Sequence, residues 1–95
     1  MKLISITASD HPDKKLMAVF DNDGRTKTTH FGAKGMDDYT ITHDKEQRAR
    51  YRERHAKDLK TGDPTRAGYL SYEILWGDST SRQVNIRRYR DKHNL

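Results

Sequence analysis

The stretch Leu16-Met17-Ala18-Val19-Phe20, Asp21-Asn22-Asp23-Gly24, Arg25-Thr26-Lys27-Thr28-Thr29-His30-Phe31 constrains the fold more than any other part of the chain. Two runs suited to extended backbone flank an Asp-Gly pair, and Asp-Gly accepts the positive φ angles that a tight hairpin turn demands. The flanking runs are rich in β-branched and aromatic residues, which fit a pleated, half-buried surface. A third strand precedes them. Lys2 to Ser9 sets Leu3, Ser5 and Thr7 against Ile4, Ile6 and Ala8, and His11-Pro12-Asp13 makes the turn into the hairpin. Three consecutive antiparallel strands form a meander, which Gly32 and Gly35 are expected to end.

Helical spacing begins after a polar loop over 32–42. Thr42 or His43 precedes a helix from Asp44 to about Lys57, with Asp44 and Glu46 in its first turn, where the helix dipole favours acids. Thr61-Gly62-Asp63-Pro64 reads as a linker. A second helix from about Thr65 to Trp76 carries Tyr69, Leu70, Tyr72, Ile74, Leu75 and Trp76, the densest apolar run, and Gly77 is placed to cap its end. Thr80 with Gln83 suggests a capping box for a third helix, which reaches about Asp91 and has only Val84, Ile86 and Tyr89 as apolar positions. The fold class is therefore α+β: an N-terminal three-stranded antiparallel meander followed by three helices, the middle one buried, in one domain over residues 1–95.

Composition limits what this domain can be. Hydrophobic residues are 32% of the chain and charged residues 35%, so the core is thin, and a core this small supplies only ~3–5 kcal/mol. Cysteine is absent, which removes disulfide staples, thiolate zinc sites and a thiol nucleophile. A small secreted domain with so little apolar content would lean on disulfides, so an intracellular or virion context is expected. No apolar run approaches the ~18 residues of a membrane span.

Positive charge is segregated. Residues 1–43 hold six basic and six acidic side chains, while residues 44–60 hold seven and four. Residues 61–81 are net acidic, and residues 82–95 hold five basic groups against one acid. Two basic segments in an otherwise balanced chain suit a polyanionic partner.

Those segments supply the candidate site. Arg48, Arg52 and His55 recur at i, i+4 and i+7 with Tyr51 among them and Arg54 beside them. Such a row is either a phosphate-binding edge or a solvated helix face with Tyr51 and His55 packed inward. At the C-terminus Arg82, Arg87, Arg88, Arg90, Lys92 and His93 surround Tyr89. Cations there complement a helix dipole, but four arginines exceed that need. The nucleic-acid or partner-binding candidates are thus Arg48, Arg52, Arg54, His55, Arg82, Arg87, Arg88 and Arg90. A third arrangement, His30, His43 and His55 with Asp38 and Asp44, loosely matches the strand–loop–helix layout of ββα metal-dependent nucleases. Its spacing fits poorly, and the strand lacks the asparagine such sites use. Phosphate-loop, nucleophile-elbow and zinc-protease motifs are absent, and nothing in the chain calls for a cofactor or a metal.

The segments Thr29-His30-Phe31-Gly32, Asp38-Tyr39-Thr40, His43-Asp44, Arg48-x-x-Tyr51-x-x-Arg54-His55 and Asp63-Pro64-Thr65-Arg66-Ala67-Gly68-Tyr69-Leu70-Ser71-Tyr72-Glu73-Ile74-Leu75-Trp76 resemble a family of short proteins of large algal DNA viruses and marine bacteriophages. Members often continue with Asn-Lys-Pro after the tryptophan, where this chain has Gly77-Asp78-Ser79, so its approach to the last helix is its own. The resemblance implies a viral setting: a small virion component, such as a minor capsid protein, meeting neighbouring capsid proteins or packaged DNA, with host cytoplasm or nucleus as the place of assembly. A free, sequence-independent nucleic-acid-binding protein is the alternative, and the nuclease a second.

Overall fold

The computed structural model describes residues 1–95, and the Asp-Gly pair closes the hairpin in it. Asp23 and Gly24 take φ angles of 54° and 87°, the paired positive values of a two-residue turn whose twist matches that of its strands. The Asp21 carboxylate accepts from the Gly24 amide at 3.0 Å and fastens the turn. Strands β1 (Lys2–Ala8), β2 (Lys14–Asn22) and β3 (Arg25–Ala33) form an antiparallel sheet in the order β1-β2-β3. In β2 the alternation holds, with Ala18 and Phe20 fully buried, and Phe31 of β3 pairs with Leu16 on the same face.

The alternation expected for β1 does not hold. The register shifts between Leu3 and Ser5, so Leu3 stands opposite Phe20 while Ile6 stands opposite Ala18. An extra residue at a bulge turns two positions of opposite parity to the same side. Leu3 is therefore buried, Ile6 packs against the core, and Ile4 is left exposed. Gly32 does not end β3 either. It stays within the strand at φ 79°, where a Cβ would lie 2.6 Å from the Leu75 side chain. The glycine is there for close approach of helix to sheet.

Four helices follow, one more than expected. The additional one is the single turn α1 (Tyr39–Thr42), inside the stretch expected as loop, and it is capped by the Asp38 carboxylate. Helix α2 (Lys45–His55) is capped by Asp44, whose carboxylate accepts from the Glu46 and Gln47 amides. Asp44 is thus the cap, not a first-turn residue behind Thr42 or His43. A 3₁₀ stretch, Ala56–Thr61, continues it. The middle helix begins later than expected because Thr65 is tied back to Asp63 through both its amide and its hydroxyl. It runs as α3 (Ala67–Leu70) and then widens into a π turn over Ser71–Leu75. Helix α4 (Arg82–His93) is capped by Ser81, not Thr80, and ends at Asn94 in the left-handed region, beyond the expected Asp91.

Only 16 of 95 residues are buried, in keeping with the thin core. They join one face of the sheet to the middle helical segment: Leu3, Ala18, Phe20 and Phe31 below, Leu70, Ile74, Leu75 and Trp76 above. Tyr89 of α4 closes one side, its hydroxyl donating to the Pro64 carbonyl at 2.6 Å. Tyr69, part of the densest apolar run, is only partly buried, and its ring lies nearly perpendicular to that of His93.

Gly77 ends the middle segment for a reason other than a left-handed cap, since its φ is not positive. A Cβ there would fall 2.2 Å from the Glu73 carbonyl oxygen and 2.7 Å from the Asn85 side chain. Asn85 is buried and donates to the Ile74 and Ser79 carbonyls, so it cannot simply swing aside. Gly77→Ala is expected to lower stability by ~1–3 kcal/mol, as overpacking does. A urea midpoint equal to that of the unaltered protein would contradict this.

Candidate functional site

Helix α2 does not present its guanidinium row to solvent. Arg48 Nε donates to the Gly77 carbonyl at 2.8 Å and the Trp76 carbonyl at 3.2 Å. One turn on, Arg52 Nη1 donates to the Trp76 carbonyl at 2.8 Å and the Tyr72 carbonyl at 3.3 Å. Its guanidinium lies 4.1 Å from the centre of the Tyr72 ring. A helix end leaves its last carbonyls without intrahelical donors, and it carries partial negative charge. With no left-handed glycine to turn the chain back on itself, the middle segment is finished by two cations from another helix. Arg48 and Arg52 are therefore structural, in neither the phosphate-binding nor the solvated role.

Between them Tyr51 lies flat on Trp76, with ring centres 4.2 Å apart and planes 7° from parallel. His55 stacks on the other face of Tyr51 at 4.1 Å, and its Nδ1 lies 3.2 Å from the Asp58 carboxylate. Burial, with the Asp58 charge adding to it, pushes the Tyr51 hydroxyl up to about 12. It is a neutral donor at any physiological pH.

Arg82 is also engaged within the fold. Nε donates to the Thr40 hydroxyl at 2.9 Å and Nη2 to the Asp38 carboxylate at 3.2 Å. Lys15 Nζ reaches the same carboxylate at 2.6 Å. Asp38, 1% exposed, so ties β2, α1 and α4 together. Burial alone would push its carboxyl up. The hydrogen bonds from Lys15 and Thr40, with the charges of Lys15 and Arg82, more than offset this and hold it below the usual value of 3.8.

Of the eight candidates this leaves Arg54, Arg87, Arg88 and Arg90, all exposed and without an ion pair in the chain. The last three stand on α4. Their neighbour Lys92 is engaged with Glu73 at 2.8 Å, and His93 lies between Tyr69 and Tyr89. The histidines of the nuclease arrangement stand apart. His30 bonds to the Ser9 hydroxyl at 2.7 Å, His43 is the exposed left-handed cap of α1, and His55 is held in the stack. No three His, Asp or Glu side chains converge.

Sequence reasoning missed a groove of about 580 Å³ between the end of the sheet, the loop before α1, and helices α2 and α3. Phe31, Leu75, Trp76 and Tyr51 line it, with Ser71 within and Lys14 and Arg54 at its rim. The one trace of it in the chain is Ser71, the only serine in the helical run Ala67 to Trp76. Nothing in the spacing indicates that β2 brings Lys14 to the same place.

Residues 4–55, from β1 through α2, match the model of a family of unknown function (DUF5754). The chain belongs to that family. The stretch matched to DUF5754 contains nearly all of the sheet, Asp38 with Lys15 and Thr40, and Arg48, Tyr51, Arg52 and His55, but neither Arg82 nor the helical segment that Arg48, Tyr51 and Arg52 meet. No curated protein and no solved structure matches the chain.

Proposed function

We propose that this protein is a small, basic, non-enzymatic structural component of a viral particle. In this reading Arg54, Arg87, Arg88 and Arg90 meet acidic surfaces of neighbouring capsid proteins or packaged DNA. One observation carries the reading: these four arginines are exposed and have no acidic partner within the chain, while Arg48, Arg52 and Arg82 are satisfied by it. Three free guanidinium groups on one helix exceed what its dipole requires, and guanidinium is the cation best matched to phosphate and carboxylate. The viral setting comes from the sequence resemblance.

Mass spectrometry of purified particles tests the assignment, and absence of the protein from them would overturn it. Titration of labelled duplex at two salt concentrations then identifies the partner. Four arginines on duplex phosphate give a slope of log affinity against log salt near −4, at about −0.9 per contact. Reversing Arg87 and Arg88 to Glu should flatten the slope and weaken all sequences alike, because phosphate contacts carry no base information. No binding at ~50 mM salt would assign the arginines to capsid neighbours.

A further inference from the structure

We propose that the groove between the sheet end and α2 is a nucleotide-binding site. This inference rests on the groove alone and stands whether or not α4 meets DNA. Three features of the wall point the same way. The first is the stack Trp76–Tyr51–His55, whose neighbouring rings are parallel to within 19°. Its outermost ring, His55, has one face on Tyr51 and borders the groove with 38% of its side chain exposed. A stack that ends at a groove offers a flat surface to a planar ligand, and base–aromatic stacking is tolerant of base identity.

The second feature is a set of donors with nothing to donate to. Ser71 lines the groove, and its hydroxyl makes no hydrogen bond within the chain. Tyr51, also in the wall, has its hydroxyl free as well, and burial keeps the proton on it. Neither hydroxyl is a buried orphan; both are left open in the wall, where each can donate to a ligand rich in acceptors.

Charge is the third feature. Arg54 and Lys14 border the groove without ion pairs, and of the two carboxylates there Asp38 is already neutralised by Lys15 and Arg82. Only Asp37 opposes an anion. A ligand that is planar, rich in acceptors and anionic is a nucleotide, either free or as one unit of a single strand. The groove volume of about 580 Å³ lies within the ~300–1,000 Å³ range of small-molecule sites.

Trp76, the only tryptophan, belongs both to the stack and to the groove wall, so its fluorescence reports occupancy. The full-length protein is titrated with AMP, with a short oligothymidylate and with inorganic phosphate. A saturable change with AMP or the oligonucleotide is expected, with phosphate alone binding far more weakly. His55→Ala should weaken binding about tenfold, the loss of one stacking contact. Arg54→Ala, at an exposed position where folding is not at stake, should weaken it and reduce its salt dependence. Arg87→Glu combined with Arg88→Glu should leave AMP binding unchanged, which separates this site from the α4 surface. Similar affinity for AMP and the oligonucleotide identifies a free nucleotide as the ligand, and an oligonucleotide at least tenfold tighter identifies a single strand. No saturable response to either probe would overturn the proposal. So would a response that neither variant alters, or one that phosphate alone reproduces.

Discussion

Trp76→Ala is expected to leave the chain largely unfolded at room temperature. Replacing a buried tryptophan by alanine removes ~3–5 kcal/mol through lost burial and the cavity left behind. That loss equals the whole of what a core this thin supplies. The indole is the inner member of the stack with Tyr51 and His55, so its removal also strips Tyr51 of the surface it lies on. Tyr51 holds the middle of α2 to the helical segment, between the two arginines that finish that segment. The expected result is a far-ultraviolet spectrum with little remaining helix and no cooperative melt. A melt within a few degrees of the unaltered protein would show that the ring is held by something outside the chain.

Asp38→Asn is expected to be the next most damaging change, at about 3 kcal/mol. Breaking a buried ion pair from one side costs ~3–5 kcal/mol, because the partner charge is left uncompensated. The lower end applies here, since the Lys15 side chain is 11% and Arg82 35% exposed and water relieves part of the cost. Acid should produce the same loss in the unaltered protein. The Asp38 carboxyl is held below 3.8 in the folded chain, so its contribution is fully present above its ordinary value and disappears as pH falls through the depressed one. Melting temperatures followed from about pH 6 to about pH 3 should fall steeply for the unaltered protein and less steeply for Asp38→Asn. Some slope will persist because Asp63, bonded by Thr65, is also held low. Parallel curves for the two proteins would refute the clasp.

The sheet was legible in the sequence because its signals are local. Asp23-Gly24 demands a two-residue turn wherever it lies between extended runs, and the alternation of Ala18 and Phe20 follows from the pleat alone. The β1 bulge was not legible, since either parity of Lys2–Ala8 offers apolar residues. The burial of Ile74, Leu75 and Trp76 could be read from apolar density, but the π turn beneath them could not, because no residue type demands it. The candidate site divided along the same line. Exposed arginines on α4 follow from helical spacing around buried Tyr89. The inward turn of Arg48 and Arg52 depends on carbonyls that lie 20 to 29 residues further along, and no periodicity within α2 encodes them. Arg82 was misjudged for the same reason, its acceptors Asp38 and Thr40 being 44 and 42 residues earlier.

The crossing bonds of Arg48 and Arg52 decide how this molecule breathes. Amide exchange in most proteins reveals separate opening units, often coincident with contiguous pieces of chain. Here the donors lie within the DUF5754 stretch that ends at residue 55, and the acceptors lie beyond it. Opening the middle helical segment frees two guanidinium groups and one face of Tyr51, and opening α2 leaves the carbonyls of Tyr72, Trp76 and Gly77 bare. Neither can come away without undoing the end of the other. The amides of both therefore share one opening free energy, and the smallest cooperative unit that contains either is larger than the family match.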